Sequence, residues 1–161
     1  MKTAIYPGSF DPITNGHLDV LKTSSEIFDK VIIAVAYNSE KQGGLLSVEE
    51  RVELIKKSIT EFDNVEVDSF EGLTVNYAKK KNAKVLIRGL RAVSDFEFEM
   101  QLSQTNSALD KDIKTIFLTT RPKYNFISSS SVKEVISLGG DCSKFVPQEV
   151  NEFLKQKFKT A

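Results

Sequence analysis

The chain contains a single histidine, His17, at the end of the segment Tyr6-Pro7-Gly8-Ser9-Phe10-Asp11-Pro12-Ile13-Thr14-Asn15-Gly16-His17. An imidazole N–H can hold a phosphate oxygen where negative charge builds in a transition state. The segment follows a short apolar run and leads straight into a helix. Backbone N–H groups at a helix start, at the positive end of the dipole, suit phosphate. Gly8 and Gly16 let the chain approach a ligand closely. The pattern is neither G-x-x-x-x-G-K-[ST] nor G-x-G-x-x-G, so the two commonest nucleotide loops are absent. A histidine near a helix start is often a structural hydrogen-bonder. Its place directly after Gly16 favours the phosphate role.

Three further segments carry candidate chemistry. Arg88-Gly89-Leu90-Arg91 follows a buried-type strand, and guanidinium groups match phosphate geometry. Strand-end arginines are also commonly solvated or ion-paired. Tyr124-Asn125-Phe126-Ile127-Ser128-Ser129-Ser130-Ser131 leads into another helix. One serine suffices for an N-cap, whereas four could offer hydroxyls and N–H groups to a polyphosphate, and both readings stay open. Lys41 sits in a polar loop ending at Gly43-Gly44 and reads as a solubility residue or a phosphate contact. Glu97 and Glu99 lie on one helix facing different ways and read as solvated, as does the run Lys79-Lys80-Lys81.

The elements that must position these residues alternate along the chain. Ala4-Ile5-Tyr6, Val31 to Ala36, Val65 with Val67, Val85-Leu86-Ile87 and Thr115 to Leu118 read as strands. The run at Val31 is apolar throughout, as in a strand covered on both faces. Between the strands fall helical patterns. Leu18, Leu21 and Phe28 share a face, with Ser25 filling the gap. Val48, Val52, Ile55, Ile59 and Phe62 follow a Ser47/Glu50 capping box. Leu73 to Lys81 and Val93 to Leu109 are helical, the second with Phe98, Leu102, Thr105 and Leu109 in register. Val132, Val135 and Ile136 mark a helix ending at Gly139-Gly140, and Pro147 opens a last one. The alternation predicts one α/β domain over 1–161, a doubly wound five-stranded parallel sheet with helices on both faces. Ligands in such sheets bind beyond the carboxyl ends of the strands, near the switch in strand order.

Composition narrows the function classes. The 161 residues include 22 Lys+Arg and 22 Asp+Glu, a formal net charge of zero, which argues against a sequence-blind nucleic-acid binder. Hydrophobic residues make up 40% and charged residues 27%, which suits a folded domain. No segment approaches the ~20 apolar residues of a membrane span, and no signal-peptide pattern opens the chain. Cys142 is the only cysteine, so no internal disulfide can form, and no Cys/His cluster is present for zinc. A cytoplasmic location is expected.

Taken together, the motifs resemble the nucleotidyltransferase superfamily marked by (H/T)-x-G-H, here Thr14-Asn15-Gly16-His17. The block Leu86-Ile87-Arg88-Gly89-Leu90-Arg91-Ala92-Val93-Ser94-Asp95-Phe96-Glu97-Phe98-Glu99-Met100 and the run Phe126-Ile127-Ser128-Ser129-Ser130 are similar to the bacterial phosphopantetheine adenylyltransferases. The resemblance implies a Rossmann-like nucleotidyltransferase fold and adenylyl transfer from ATP to 4′-phosphopantetheine, giving dephospho-coenzyme A and pyrophosphate. It implies magnesium carried with ATP, feedback by coenzyme A, and a homohexamer. By the same resemblance Ser9, Lys41 and Arg88 hold the phosphate of phosphopantetheine, and the stretch at Thr74 lines the pantetheine arm. Ser9, Phe10, His17, Gly89, Leu90, Arg91 and Glu99 contact ATP, together with Tyr124, Asn125, Phe126, Ile127, Ser128, Ser129 and Ser130. His17 stabilises the transition state, with Lys41, Arg88 and Arg91 as further catalytic cations. Ser9 stands where some relatives have threonine, which keeps the hydroxyl. The 38–46 loop has its own sequence.

A phosphate monoester nucleophile is already anionic, so the reaction needs positioning and charge neutralisation rather than a general base. Two other readings share some of the residues. A sister nucleotidyltransferase acting on nicotinate mononucleotide or a polyol phosphate would share Thr14 to His17 without the long Arg88 block. A non-catalytic nucleotide-binding module would have no need of His17 together with Arg88 and Arg91.

Overall fold

The apolar run Lys30–Tyr37 forms strand β2, and its side chains divide strictly by parity. Val31, Ile33 and Val35 enter one apolar cluster, and Ile32 and Ala34 enter another on the opposite face. This period-two split is what a strand buried on both sides produces. Thr3–Gly8 (β1) behaves the same way, with Ala4 and Tyr6 on one side and Ile5 on the other. Val65–Glu71 (β3), Val85–Leu90 (β4) and Lys114–Thr119 (β5) complete a five-stranded sheet of order β3-β2-β1-β4-β5. All neighbouring pairs are parallel. The computed structural model describes residues 1–41 and 43–158.

The helices follow the sense of winding. Asn15–Ile27 (α1), Val48–Ser58 (α2), Ser129–Ser137 (α5) and Gln148–Phe158 (α6) pack on the face of Tyr6 and Ile33. Thr74–Lys80 (α3) packs on the Ile5 and Ile32 face, and Val93–Leu109 (α4) lies beside it against β4 and β5. The winding therefore reverses between β1 and β4, and a crevice opens there at the carboxyl ends of the strands. Each fully buried aliphatic side chain, such as Leu21, Ile55 or Leu154, contributes roughly 1.5–3 kcal/mol relative to exposure.

Local signals explain the boundaries. Ser47 Oγ accepts from Glu50 N at 3.1 Å while Glu50 Oε1 accepts from Ser47 N at 2.9 Å, the capping box expected for α2. The same Glu50 oxygen takes Lys157 Nζ at 2.6 Å, which ties α6 to the start of α2. Three details differ from the sequence reading. In α1 the serine that fills the gap in the apolar face is Ser24, whose hydroxyl donates to Val20 O at 2.7 Å, and Ser25 lies nearer the surface. β4 runs on through Leu90, so Arg88 and Gly89 belong to the strand itself. In α4, Phe98 and Leu109 are exposed at 63% and 53%, and the one buried residue is Glu99. That helix meets the sheet with Glu99 and with Phe96, whose ring lies edge-on to Phe117 of β5 with centroids 5.6 Å apart, and leaves Phe98 and Leu109 uncovered.

Gly89 is required by packing. A methyl there would lie 2.9 Å from Val20 Cγ2 on α1 and 3.8 Å from Tyr6 Oη. Gly89→Ala is therefore expected to push α1 away from β4 and cost about 1–3 kcal/mol. Thermal unfolding reads this as a lowered Tm, and an unchanged Tm would show that α1 can retreat freely.

Candidate active site

The crevice at the switch point is lined by Pro7, Gly8, Ser9 and Phe10 from the end of β1, and by Thr14, Gly16 and His17 from the start of α1. β4 supplies Arg88, Gly89 and the adjoining Arg91, α4 supplies Glu99, and the last wall is Thr120, Ile127, Ser128 and Ser129. Gly8 is bare because the Phe10 ring lies on it, 3.1 Å from where a methyl would stand. Phe10 turns the chain with φ of 46°, a left-handed conformation unusual for a bulky side chain. Its ring then meets the His17 ring edge-on, with centroids 4.9 Å apart.

Thr14 and His17 fix each other. Thr14 is the N-cap of α1, and its hydroxyl accepts from His17 N at 3.3 Å. In return Thr14 N donates to His17 Nδ1 at 3.0 Å. This is a capping box in which an imidazole takes the place of the usual Glu or Gln. Because Nδ1 accepts from a backbone amide, the proton of the neutral ring resides on Nε2. Burial lowers the His17 pKa to about 4, with further lowering from the nearby Arg91 and Arg88 charges. The ring is thus a neutral Nε2–H donor at physiological pH. Gly16 has room for a methyl within the protein, its nearest neighbour being Thr14 Oγ1 at 3.5 Å. Its bareness keeps the crevice floor open instead.

The serine-rich segment caps a helix, as one of its two readings expects. Ser128 caps α5, its Oγ accepting from Ser131 N at 3.1 Å, and Ser131 Oγ accepts from Ser128 N at the same distance. Ser129 Oγ donates to Pro12 O at 2.9 Å. The hydroxyls therefore brace the fold, and the amino end of α5 faces the crevice beside that of α1. Two helix starts, two guanidinium groups and a neutral imidazole donor converge on one space, which suits a polyphosphate.

Each cation is held by a carboxylate. Arg88 makes a two-point bond to Glu99, Nε to Oε2 at 2.6 Å and Nη2 to Oε1 at 2.7 Å. Glu99 is 8% exposed, which corrects its reading as a solvated helix face. Arg91 pairs with Asp95, whose Oδ2 also accepts from Arg91 N at 3.0 Å, and Arg91 Nη1 donates to Ile127 O at 3.3 Å. The Glu99 partner raises the pKa of Arg88 against the opposing effect of burial, so the guanidinium stays charged.

The sequence-derived candidates separate into groups. Ser9, Phe10, His17, Arg88, Gly89, Arg91, Glu99, Ile127, Ser128 and Ser129 line the crevice together. Lys41 lines a neighbouring hollow with Tyr37, Ser39, Leu46 and Arg51, and Ser9 is shared between the two. Thr74 begins α3 and lines neither space. Leu90, Tyr124, Asn125, Phe126 and Ser130 also lie outside the crevice lining. Leu90 O accepts from Thr120 N at 3.0 Å, and Asn125 Oδ1 accepts from Thr120 Oγ1 at 2.9 Å, so these two shape the turn after β5. Tyr124 lies beneath the Arg121 and Lys123 cations. Phe126 is 65% exposed.

Two buried acids were not singled out from the sequence. Asp11, 2% exposed, accepts from Leu45 N and Leu46 N at 2.8 Å and pairs with Lys133 Nζ at 3.0 Å and Arg51 Nε at 3.4 Å. It anchors the far end of the Lys41 loop to the turn that carries Phe10. Asp19 accepts from Arg121 N at 2.9 Å and Nε at 2.6 Å, fixing the segment after β5 to α1. A charged residue between Leu18 and Val20 on a core-packed helix was the available signal for Asp19. No spacing rule marks Asp11.

Fold and site together define a nucleotidyltransferase of the doubly wound α/β type. The model of the cytidylyltransferase-like family matches residues 5–135. Phosphopantetheine adenylyltransferase from Clostridium novyi is 53% identical over 150 residues, covering 93% of this chain and 92% of that protein. Phosphopantetheine adenylyltransferase from Caldanaerobacter subterraneus is 53% identical over 159 residues, covering 99% of each. The chain belongs to the phosphopantetheine adenylyltransferase family. The fold also recurs in a Vibrio parahaemolyticus protein provisionally named nicotinate-nucleotide adenylyltransferase, with a TM-score of 0.72 at 20% identity over 96% of this chain and 99% of that one.

The His17 geometry has a direct readout. Nitrogen-15 NMR is expected to show Nδ1 unprotonated and Nε2 protonated from about pH 8 to about pH 5. A titration centred on the ordinary value of 6.5 would show that the ring is neither desolvated nor under the arginine field. The stability consequence has a definite sign. Above pH 6.5 the ring is neutral folded or unfolded and has no effect; as pH falls from 6.5 towards about 4, the unfolded chain takes up the proton first and the fold loses stability.

Proposed function

We propose that the chain transfers the adenylyl group of ATP to 4′-phosphopantetheine, forming dephospho-coenzyme A and releasing pyrophosphate. The observation that carries this reading is the convergence of His17, Arg88 and Arg91 on the crevice between β1 and β4. The phosphate of phosphopantetheine attacks the α-phosphorus in line, the bond to the β,γ-pyrophosphate breaks, and no covalent enzyme intermediate forms. Both reactants are anions, so the cations' first task is to bring them together against their repulsion. His17 Nε2–H then donates to an oxygen on which charge grows in the transition state. The amino ends of α1 and α5 and the Arg91 guanidinium hold the triphosphate. Ser9, Lys41 and Arg88 hold the phosphate of the acceptor, Lys41 reaching it from the neighbouring hollow across Ser9, and Thr74 meets the pantetheine arm. Phe10, Gly89, Leu90, Glu99 and the 124–130 segment contact the nucleotide.

Magnesium enters as part of the substrate, on the phosphates of ATP. Among the described residues no group of three His, Cys, Asp or Glu side chains is placed to hold a metal ion. Asp11, Asp19 and Glu99 around the crevice are each engaged by a cation of the protein. Coenzyme A, which repeats the product with one further phosphate, is proposed to compete for the same crevice as feedback inhibitor. The proposed assembly is a homohexamer in the cytoplasm. Its support on the surface is the uncovered α4, where Val93, Phe98, Met100 and Leu109 are exposed. No helix among the described residues is long and apolar enough to cross a membrane.

The test is pyrophosphate release from magnesium and ATP with a panel of acceptors. Phosphopantetheine is expected to support turnover, while nicotinate mononucleotide and glycerol phosphate are not. Turnover with either of those, or with no acceptor, would replace the proposal. His17→Ala is expected to fold and to lower kcat by about 10²–10³. Near-normal turnover in that variant would remove His17 from the mechanism. Arg88→Ala is expected to raise the KM for phosphopantetheine far more than that for ATP.

A further inference from the structure

On the reading given above, the phosphate of the acceptor is held from two separate elements. Ser9 belongs to the turn after β1, and Lys41 to the loop that leads into α2. Their spacing is set by whatever fixes that loop to that turn. Two side chains do so from opposite sides. Asp11, in the turn, reaches the loop: Oδ2 accepts from Leu45 N and Oδ1 from Leu46 N, both at 2.8 Å. Arg51, near the start of α2, reaches both: Nε donates to Leu46 O at 3.0 Å and Nη1 to Ser9 O at 3.4 Å. The two charges lie against each other, Arg51 Nε 3.4 Å from Asp11 Oδ1, and Lys133 Nζ of α5 lies 3.0 Å from Oδ2. Each Asp11 oxygen thus has one amide and one cation, which fills its two acceptor positions. Gly44 is bare because the pair passes over it: a methyl there would collide with Arg51 Nη2 and stand 3.1 Å from Asp11 Oδ2. Asp11 lines neither the crevice nor the hollow, so it acts on a ligand only through what it holds. The triphosphate end has ties of its own, Ser129 Oγ to Pro12 O for α5 and the Thr14 cap for α1.

We infer that Asp11 is a positioning residue for the acceptor, acting through the Lys41 loop: together with Arg51 it sets the distance between Lys41 and Ser9, so that the two close on one phosphate. The pair is suited to this because both side chains are buried, Asp11 at 2% and Arg51 at 9% exposure, and their partners are mostly backbone atoms. The inference rests on the reading of Lys41 given above.

A double-variant cycle tests it: wild type, Asp11→Asn, Lys41→Ala and the two combined, each with KM for ATP and for phosphopantetheine and with thermal unfolding. Asparagine fits the same space but keeps one acceptor oxygen, so one loop amide loses its acceptor and both cations lose their counter-charge. Asp11→Asn is expected to raise the KM for phosphopantetheine about tenfold and that for ATP less than about twofold. With Lys41 already replaced, the same change is expected to add almost nothing, because a misplaced loop matters only while it carries the lysine. A lowered Tm with both KM values unchanged would leave Asp11 a purely structural residue and overturn the inference. An acceptor effect that persists without Lys41, or an equal rise in the KM for ATP, would also overturn it. If Lys41→Ala alone leaves the KM for phosphopantetheine unchanged, the reading of Lys41 falls and the inference with it. If Lys41→Ala raises that KM and Asp11→Asn does not, the inference alone falls. Should Asp11→Asn fail to fold, Arg51→Lys takes its place in the cycle, since lysine keeps the charge beside Asp11 but has no fork to span Leu46 O and Ser9 O together. It is expected to raise the KM for phosphopantetheine about threefold, again only while Lys41 is present.

Discussion

One backbone amide sets the chemistry of this crevice. Thr14 N donates to His17 Nδ1, and that bond decides which ring nitrogen carries the proton. Without it either ring nitrogen could carry the proton or face outward, and the donor facing the crevice would no longer be fixed. The same bond closes the cap of α1, so helix formation and ring orientation are one event. The motif Thr14-Asn15-Gly16-His17 can be understood from this: a hydroxyl to receive the first-turn amide, a bare residue at the crevice floor, and a ring at the third helical position.

The rest of the site follows a complementary rule. Anionic ligands call for cations at the strand ends, and unpartnered cations there would be mobile and mutually repelling. The fold places a carboxylate behind each: Glu99 behind Arg88, Asp95 behind Arg91, Asp19 behind Arg121, Asp11 between Arg51 and Lys133. These acids orient the donors more than they stabilise the molecule, since burying charges offsets much of what pairing them returns. His17 shows the other side of the same field. Desolvation and the arginine charges keep it neutral, so it adds a directed N–H without adding a charge that would have to be balanced.

The sheet and the helices around it were readable residue by residue. β-branched runs, the Ser47/Glu50 box and the spacing of Ile55 and Ile59 each name one element, because backbone geometry imposes periods of two and 3.6 on any side that must be apolar. α4 was readable in extent and misleading in facing. Its stripe of Phe98, Leu102, Thr105 and Leu109 is periodic, yet Phe98 and Leu109 are exposed and Glu99 is buried. A hydrophobic period says that a face is covered; it does not say by what, and here the sheet is met by Phe96 and by the charged residue whose partner lies on β4.

Local sequence alone determined the elements, their order, the helix caps and the segments that follow the strands, since these depend on neighbours a few residues apart. It also marked His17, Arg88 and Arg91 as chemistry-bearing, because each stands where a strand ends or a helix begins. Tertiary structure decided the pairings that span the chain. Glu99 reaches Arg88 across 11 residues, Asp11 reaches Leu46 across 35, and Asp19 reaches Arg121 across 102. It separated Lys41 into its own hollow and left Thr74 and Tyr124 off the crevice wall. The reason is physical: a charge is recorded in the sequence, but its partner is chosen by which strand ends the winding of the sheet brings together.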